Sequence, residues 1–334
     1  MKIVLDAMGG DFGPEPNVEA AIQAARAFGH EIVLVGKQDL IRPLLNQHNT
    51  AGLMLPIVNA NEVVEMDEHP AAAVKAKKDN SMSVGLRLVK SGQADAFVTM
   101  GNTGAAMASA LFTLGRIKGV HRPAISSAIP TTRGWTFMID IGANADCRPE
   151  YLVQFALMGS IYSERVMQVR NPKVGLLSNG EEESKGSELV QATHQLLKAS
   201  GLNFIGNVEG RDIPVGTADV IVTDGFTGNV AIKLMEGMKE MIESLLKDAF
   251  YSSLPAKIGG ALSRTAIKAT LKSRTSYEEI GGAPLLGVDG VVIIGHGRSK
   301  APAIFSAIKR ATESVQNGVV DAIERGLAAA PQGA

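Results

Sequence analysis

The sequence predicts an α/β fold in which helices cover both faces of a largely parallel sheet. Short β-branched runs alternate along the chain with longer stretches of helical periodicity. Several of the short runs are apolar without alternation, which is typical of strands covered by helices on both faces. The 334 residues, 45% of them hydrophobic, suffice for one large α/β unit or for two intertwined subdomains, and composition marks no linker within residues 1–334.

Seven short runs of mainly apolar or β-branched residues predict strands. In chain order they are Lys2–Leu5, Ile32–Val35, Ala96–Thr99, Thr136–Ile139, Val174–Leu177, Val220–Thr223 and Val291–Ile294. Amphipathic stretches between the strands predict helices. These are Asn17–Phe28, Gly104–Leu114, Tyr151–Val166, Ser187–Lys198 and Asn229–Asp248.

Charge and cysteine content exclude several classes of protein. The 33 basic and 34 acidic residues give a net charge of −1, which argues against nucleic acid as a partner. The single cysteine, Cys147, excludes an internal disulfide and a cysteine-based metal cluster, and suits a reducing cytoplasm. The amino terminus lacks the unbroken apolar region of a signal peptide, and no apolar run could span a bilayer. We therefore expect a cytoplasmic protein that meets a membrane only peripherally, on its inner face.

Six of the predicted strands end in loops that contain glycine. Their sequences are DAMGGDFG (6–13), TMGNTG (99–104), DIGANADC (140–147), SNGEEESKG (178–186), TDGFTGN (223–229) and GHGRS (295–299). Ligands of open α/β sheets bind beyond the carboxyl ends of the strands, so we expect the six loops to surround one site. Glycine lets the backbone approach a ligand closely, and the helix that follows directs free N–H groups at an anion.

Two of these loops belong to a near-repeat. Residues 94–105 read ADAFVTMGNTGA and residues 218–229 read ADVIVTDGFTGN, which are identical at seven of twelve positions. The loops supply the candidate substrate-binding residues, which are Gly9, Gly10, Asp11, Gly101, Asn102, Thr103, Gly104, Gly180, Asp224, Gly225, Thr227, Gly228 and Asn229. For any one loop, the alternative is a helix cap or tight turn with no ligand.

The motifs of several enzyme classes are missing from the sequence. It lacks the G-x-G-x-x-G spacing after the first strand, the phosphate-binding G-x-x-x-x-G-K-[ST], the G-x-S-x-G nucleophile turn and H-E-x-x-H. The loops instead contain residue types that bind and orient charged groups. We expect no cofactor and no metal.

The motifs MKIVLDAMGGDFGP, GNTGA, DIGANADCRPEYLVQFA, GEEESKGSELV, TDGFTGN and GGAPLLGVDG resemble those of the bacterial phosphate acyltransferases of the PlsX family, from Met1 to about Ala311. The resemblance implies a three-layer α/β/α fold, similar to isocitrate and isopropylmalate dehydrogenases and to phosphotransacetylases, with a pseudo-twofold internal relation. The sequence departs from the family where Ser178-Asn179-Gly180 replaces Asn-Ile/Val-Gly.

The resemblance also implies an activity and partners. The family transfers a fatty acyl group reversibly from acyl carrier protein to inorganic phosphate, and the acyl phosphate enters phosphatidic acid synthesis. A homodimer and a membrane glycerol-3-phosphate acyltransferase that receives the product are the further partners implied. A CoA-dependent phosphotransacetylase, a dehydrogenase of the same fold and a non-catalytic membrane-recruited binding protein remain the alternatives.

Three residues are candidates for catalysis, because phosphate is itself a nucleophile and needs mainly positioning and charge stabilisation. Lys185 would hold phosphate, or else pair with the acidic triplet at 181–183. Asn144 would donate to the oxyanion, or else form a turn, and His296 would exchange a proton, or else be incidental. A covalent route through Cys147 is disfavoured, because phosphate can attack directly.

The segment 249–277 is basic and amphipathic. It contains no acidic residue, and four of its cations lie on one helical stripe: Lys257, Arg264, Lys268 and Lys272. Such a segment binds an anionic membrane surface or the acidic carrier protein. The alternative is a solvated helix packed on the body of the protein or at a dimer interface.

Overall fold

A computed structural model describes residues 1–275 and 281–330, and within the helix Leu254–Thr275 the side chains of Arg264 and of residues 266–275 lie outside that description. In the described part, eleven strands form one sheet. They are β1 (Lys2–Asp6), β2 (Glu31–Gly36), β3 (Ile57–Asn59), β4 (Ala96–Thr99), β5 (Ala124–Thr131), β6 (Gly134–Ile139), β7 (Val174–Leu177), β8 (Phe204–Val208), β9 (Val220–Val222), β10 (Ala283–Leu286) and β11 (Val291–Ile294). All seven predicted strands are present.

Helices cover both faces of the sheet, and each of the five predicted helical stretches lies within one or overlaps one. The helices are α1 (Glu15–Phe28), α2 (Gln38–Asn46), α3 (Pro70–Ala76), α4 (Ser81–Lys90), α5 (Thr103–Thr113), α6 (Pro149–Arg165), α7 (Glu188–Ala199), α8 (Gly225–Tyr251), α9 (Leu254–Thr275), α10 (Ala301–Gln316) and α11 (Val319–Ala329). On one face, Ile3 and Leu5 of β1 pack in a core with α1 and α10. On the other face, Val4 and Phe97 pack in a core with α4 and α5. The strands are therefore apolar on both sides, as the missing alternation predicted.

The strand order is β3-β2-β1-β4-β11-β10-β5-β6-β9-β7-β8. Strands β3, β2, β1, β4 and β11 form a first parallel group, and β6, β9, β7 and β8 form a second one. The three pairings that join the groups, β11 to β10, β10 to β5 and β5 to β6, are all antiparallel. Three successive reversals leave the two groups running in opposite directions.

The near-repeat marks equivalent strand pairs in the two groups. Ile3 of β1 pairs with Ala96 of β4, and Phe137 of β6 pairs with Val220 of β9 in the same parallel register. Ala96 and Val220 are equivalent positions of the near-repeat. This correspondence is the internal relation that the family resemblance implies, and it gives the repeated sequence a structural meaning.

Candidate active site

The six glycine loops form two clusters, not the single ring that the sequence predicted. The first loop cluster, residues 6–13, 99–104 and 295–299, follows strands of the first group. The second loop cluster, residues 140–147, 178–186 and 223–229, follows strands of the second group. Because the two groups run in opposite directions, the carboxyl ends of the first group's strands and those of the second group's strands lie at opposite ends of the sheet along the strand direction. The expectation of one ring was wrong because it assumed that all six strands are parallel.

In the first loop cluster, glycine allows one loop to pack on another. The Asp11 N–H donates to the Gly297 carbonyl oxygen at 2.8 Å. A Cβ atom on Gly9 would lie 2.7 Å from the Gly101 nitrogen, closer than real Cβ atoms come. Beneath this contact, the fully buried carboxylate of Asp6 accepts hydrogen bonds from Thr99 Oγ1 at 2.7 Å and from the Met8 N–H at 3.1 Å. These glycines are needed for packing between loops, whether or not a ligand binds.

Asp6 predicts a pH dependence of stability. Burial raises the pKa of Asp6 above the ordinary value of 3.8, although hydrogen bonds from Thr99 and Ser81 act in the opposite direction. Between these two pKa values the folded protein holds a proton that the unfolded chain has released, so the free energy of unfolding falls as pH rises. We expect Asp6→Asn to reduce this fall, as measured by urea unfolding from acid to neutral pH. Parallel profiles for the variant and the wild type would contradict this assignment.

The start of α5 is capped by a side chain that was a candidate for substrate binding. Asn102 Oδ1 accepts from the Ala105 N–H at 3.0 Å, and Asn102 Nδ2 donates to the Met66 carbonyl oxygen at 2.9 Å. Gly104 lies against Pro70, where a Cβ atom would be 2.6 Å from Pro70 Cγ. In the structure, the Asn102 side chain therefore acts as a helix cap, which is the alternative to substrate binding that the sequence left open.

In the second loop cluster, a buried carboxylate organises the loop after β6. Asp140 Oδ1 accepts from the N–H groups of Gly142 and Ala143 at 3.0 and 2.9 Å. Asp140 Oδ2 accepts from the N–H and the Nδ2 of Asn144, both at 2.8 Å. The other amide hydrogen of Asn144 bonds to the Pro123 carbonyl oxygen at 2.8 Å. Both Nδ2 hydrogens are therefore engaged, which contradicts the prediction that Asn144 donates to an oxyanion.

Asp224 caps helix α8. Its Oδ1 accepts from the Thr227 N–H at 2.8 Å, and its Oδ2 accepts the Thr227 hydroxyl proton at 2.7 Å. The Gly225 N–H donates to the Asn144 carbonyl oxygen at 2.7 Å, which joins this cap to the loop after β6. Because its proton bonds to Asp224, the Thr227 hydroxyl does not donate to an anion in this conformation. The prediction that the Thr227 side chain binds phosphate is corrected to a capping role.

Lys185 is an exposed cation that has no acidic partner among the residues the structure describes. Its side chain covers Gly180, where a Cβ atom would lie 2.7 Å from Lys185 Cγ. Two members of the neighbouring acidic triplet bind other cations: Glu181 pairs with Arg211 at 3.0 Å and Glu183 pairs with Lys198 at 2.7 Å. Within residues 1–275 and 281–330, Lys185 Nζ makes no ion pair. The alternative in which Lys185 pairs with the triplet does not occur in the structure.

Asn229 is a second exposed polar side chain of the same cluster. It lies on the first turns of α8, and its Nδ2 is 3.7 Å from the position of a Cβ atom on Gly142. In the described part of the chain, its side chain makes no hydrogen bond. The near-repeat contained a signal for this position, because the second copy has Asn229 where the first copy has Ala105. In the structure Ala105 is fully buried, whereas Asn229 is exposed. The sequence placed Asn229 among the binding residues but could not show that its amide makes no hydrogen bond in the described part of the chain.

The remaining candidates lie apart from Lys185 or are unsuited to chemistry. His296 belongs to the first loop cluster, where its Nδ1 accepts from the Arg298 N–H at 3.2 Å. Burial and the nearby Asp140 and Asp224 raise the pKa of the Cys147 thiol to about 12, so a thiolate nucleophile is scarce at neutral pH. The hydroxyl of Ser178 is buried and has no hydrogen-bond partner in the described residues.

Three carboxylates near the second loop cluster are close enough to hold a metal ion, namely Glu181, Glu209 and Asp212. The Arg211 guanidinium pairs with Glu181 at 3.0 Å and with Glu209 at 2.6 Å, so two of the three carboxylates already have a cationic partner. The group is explained as an ion-pair network on the surface.

The basic segment forms the end of α8 and all of α9. Lys257 is exposed, and its Nζ lies 5.7 Å from the centre of the Tyr251 ring. The side chains of Arg264, Lys268 and Lys272, together with residues 276–277, lie outside the described residues. Among the helices that are described, none is both long and apolar enough to cross a membrane.

Comparison with solved structures defines the class of protein. A phosphotransacetylase from Streptococcus pyogenes has the same fold, with a TM-score of 0.63, 20% identity and coverage of 95% of this chain and 94% of its own. A 4-hydroxythreonine-4-phosphate dehydrogenase from Klebsiella pneumoniae gives a TM-score of 0.55 at 13% identity, covering 95% of this chain and 99% of its own. The predicted fold class is confirmed. The protein has a phosphotransacetylase-like α/β fold.

Comparison of sequences defines the family. The family model described as "Fatty acid synthesis protein" matches residues 1–322. The phosphate acyltransferase of Dictyoglomus turgidum is 52% identical over 329 residues, which are 98% of each chain. That of Pelotomaculum thermopropionicum is 48% identical over 327 residues, covering 98% of this chain and 95% of its own. The chain belongs to this family of phosphate acyltransferases, and it is an acyltransferase enzyme of fatty acid and phospholipid synthesis.

Proposed function

We propose that this enzyme transfers a fatty acyl group from acyl carrier protein to inorganic phosphate at the second loop cluster. The observation that carries the assignment is Lys185, an exposed cation without an ion pair in residues 1–275 and 281–330, next to the loops that contain Asn229 and the start of α8. Strands β7 and β9, which those loops follow, are neighbours in the sheet. An unpaired cation and a free amide beside a helix N-terminus suit an anionic acceptor and a developing oxyanion.

Phosphate needs no activating base in this mechanism. Lys185 holds the phosphate, and one phosphate oxygen attacks the thioester carbonyl carbon to form a C–O bond. The carbonyl oxygen becomes an oxyanion, to which the Nδ2 group of Asn229 donates. When the oxyanion collapses, the C–S bond breaks, the sulfur leaves as a thiolate, and solvent protonates it. The products are an acyl phosphate and the carrier protein thiol.

Of the three alternatives, one uses a different acyl donor, one carries out a different reaction and one has no catalytic activity. A CoA-dependent phosphotransacetylase would use the same loops with acyl-CoA as donor. A dehydrogenase would need a bound nicotinamide, and the dinucleotide-binding motif is missing from the sequence. A non-catalytic binding protein leaves Lys185 and the Asn229 amide, which have no ion pair and no hydrogen bond among the described residues, without a role.

The test incubates the purified protein with acyl carrier protein thioester and inorganic phosphate and measures free thiol. We expect thiol release that requires phosphate and yields acyl phosphate. Equal rates with acyl-CoA would favour the phosphotransacetylase. If thiol release from the carrier protein does not depend on phosphate, the proposed function is wrong.

A stripe of exposed apolar side chains along α8 supports the homodimer implied by the family resemblance. Its members are Val230, Leu234, Met238, Met241 and Leu245. Their spacing of three or four residues is that of a coiled-coil seam, and Leu234 and Leu245 are 64% and 60% exposed. We propose that the same stripe of a second copy covers it, because a twofold contact pairs identical surfaces.

We expect the pair of changes Leu234→Glu and Leu245→Glu to convert the dimer to a monomer, because each buries a carboxylate in an apolar seam. Light scattering after size-exclusion chromatography measures the mass. Lys247→Glu, an exposed change on α8 away from the stripe, is the control and should leave the mass unchanged. A wild-type monomer, or a double variant that remains dimeric, would contradict this assignment.

The expected location is the cytoplasm, with peripheral contact to the inner face of the membrane. The basic helix α9 supports this proposal, because the product is an acyl phosphate for a membrane glycerol-3-phosphate acyltransferase. Its described cation, Lys257, lies next to the exposed Tyr251, a pairing suited to a headgroup region.

A further inference from the structure

The loop between α5 and β5 is basic and has no assigned role. This basic loop, residues 115–123, reads GRIKGVHRP and contains no acidic residue. Arg116, Lys118, His121 and Arg122 are all exposed. Within the described ranges, none of its arginines or its lysine makes an ion pair. Unpaired exposed cations in such a short segment are available to an acidic partner.

The basic loop is held in one conformation. The Arg116 guanidinium donates to the His121 carbonyl oxygen, and the His121 N–H donates to Gln154 Oε1 at 2.9 Å. The Ile117 N–H donates to the Gly287 carbonyl oxygen at 3.1 Å. The Arg122 guanidinium lies 6.0 Å from the centre of the Tyr151 ring. Ordered cations of this kind lose little conformational entropy when a partner binds.

The basic loop lies directly beside the second loop cluster. Pro123, its last residue, accepts the hydrogen bond from Asn144 Nδ2 at 2.8 Å. Arg148, at the start of α6, adds a further exposed cation without an ion pair in the part of the chain that the structure describes. The carboxylates next to Arg148 in the sequence are Asp146 and Glu150. Asp289, whose N–H donates to the carbonyl oxygen of Gly115 in the basic loop, has its carboxylate paired with Lys90 at 3.0 Å.

The described cation of the basic helix α9 lies much farther from this cluster. Helix α8 begins in the second loop cluster and continues for 27 residues, and Lys257 follows its end. At ~1.5 Å per residue, α8 separates Lys257 from the cluster by roughly 40 Å. The surface next to Lys185 is acidic, because Glu183 of the same loop and Glu188 of α7 are exposed, and it would repel an acidic protein. Of the two basic segments, only the basic loop has described cations directly beside the second loop cluster.

We infer that the basic loop, together with Arg148, is the docking surface for the acidic carrier protein that delivers the acyl thioester. The inference rests on the proposed function, because it assumes a protein-bound donor. Contacts between rim charges mainly raise the association rate and the apparent affinity, and they leave the chemical step unchanged. The segment 249–277 is thereby left for the membrane or for the second subunit.

The test uses the full-length enzyme with the paired changes Lys118→Glu and Arg122→Glu. We expect the KM for acyl carrier protein, and the Kd for fluorescently labelled carrier protein, to rise by about tenfold, with kcat at saturating donor unchanged. The salt dependence of KM should also become weaker in the double variant. Arg133→Glu is the control. Arg133 is exposed in the β5–β6 hairpin, at the opposite end of β5 from the basic loop.

The outcomes separate this inference from the proposed function. If the wild type releases thiol from acyl carrier protein in the presence of phosphate but the double variant has the same KM and Kd, the basic loop is not the docking surface and the proposed function stands. If Lys257→Glu raises the Kd and the double variant does not, the carrier protein docks on α9. If the wild type shows no phosphate-dependent release, the proposed function itself fails.

Discussion

Lys185→Ala is expected to lower kcat for acyl transfer by about a hundredfold or more, the usual effect of removing one group that stabilises transition-state charge. The KM for phosphate should rise as well, because the same ammonium group holds the acceptor before the reaction. Lys185 is exposed and makes no ion pair in the described residues, so its removal should change the free energy of unfolding little. The measurement is thiol release from acyl carrier protein at varied phosphate concentration.

Lys198→Ala is the matched control. Lys198 is also exposed and lies on α7, but its ammonium group pairs with Glu183 at 2.7 Å. Its removal should therefore leave kcat and the KM for phosphate close to the wild-type values. A fully active Lys185→Ala variant would remove Lys185 from the site, and equal losses in both variants would indicate a general effect of charge.

Gly228→Ala is expected to destabilise the protein by about 3 kcal/mol, at the upper end of the usual cost of overpacking. A Cβ atom at this position would overlap the Asp140 carbonyl oxygen and lie 2.9 Å from Thr223 Cγ2. The clash is with backbone, so no side-chain rotation relieves it. Helix α8 has to move away from the loop after β6, and activity should fall with stability. Urea unfolding followed by circular dichroism measures the effect.

Gly259→Ala provides the comparison. Gly259 is exposed in α9, and no atom lies within 4 Å of the position of its Cβ atom. Alanine there should stabilise the helix by about 0.5 to 1 kcal/mol. If both glycine variants change the free energy of unfolding alike, the close contact between Gly228 and Asp140 does not constrain the fold.

The sequence predicted strands whose two faces are both covered. It missed β5 and β10, which form the antiparallel pairings, and the edge strands β3 and β8. Strands β5 and β10 pair with each other across a large sequence separation, as in the hydrogen bond from Ser126 Oγ to the Pro284 carbonyl oxygen at 3.0 Å. No local pattern encodes the direction of such a pairing. The expectation of one ring of loops failed for this reason, although each loop was correctly placed after its strand.

The sequence identified the residues of the site better than their roles. The candidate position of Lys185 could be read from GEEESKG. Its lack of an ion pair in the described residues depends partly on distant cations, because Arg211 and Lys198 engage two of the three members of the acidic triplet. Likewise, Asn144 and Asn229 are both asparagines that follow glycine-bearing turns. Only the fold shows that the Asn144 amide is bonded to Pro123 and that the Asn229 amide makes no hydrogen bond within the described residues.

The strand order has a consequence for synthesis on the ribosome. Strands β5 to β9 of the sheet are contiguous in the chain, whereas the first group contains both β1, which precedes them, and β11, which follows them. Helix α10, which packs against α1 in one core, is also made late. During translation, strands β5 to β9 can pair with one another while β4 and β5 each still have one unpaired edge. The sheet of the nascent chain therefore closes only after β10 and β11 have left the ribosome, and until then these two open edges are available to a chaperone or to a neighbouring chain.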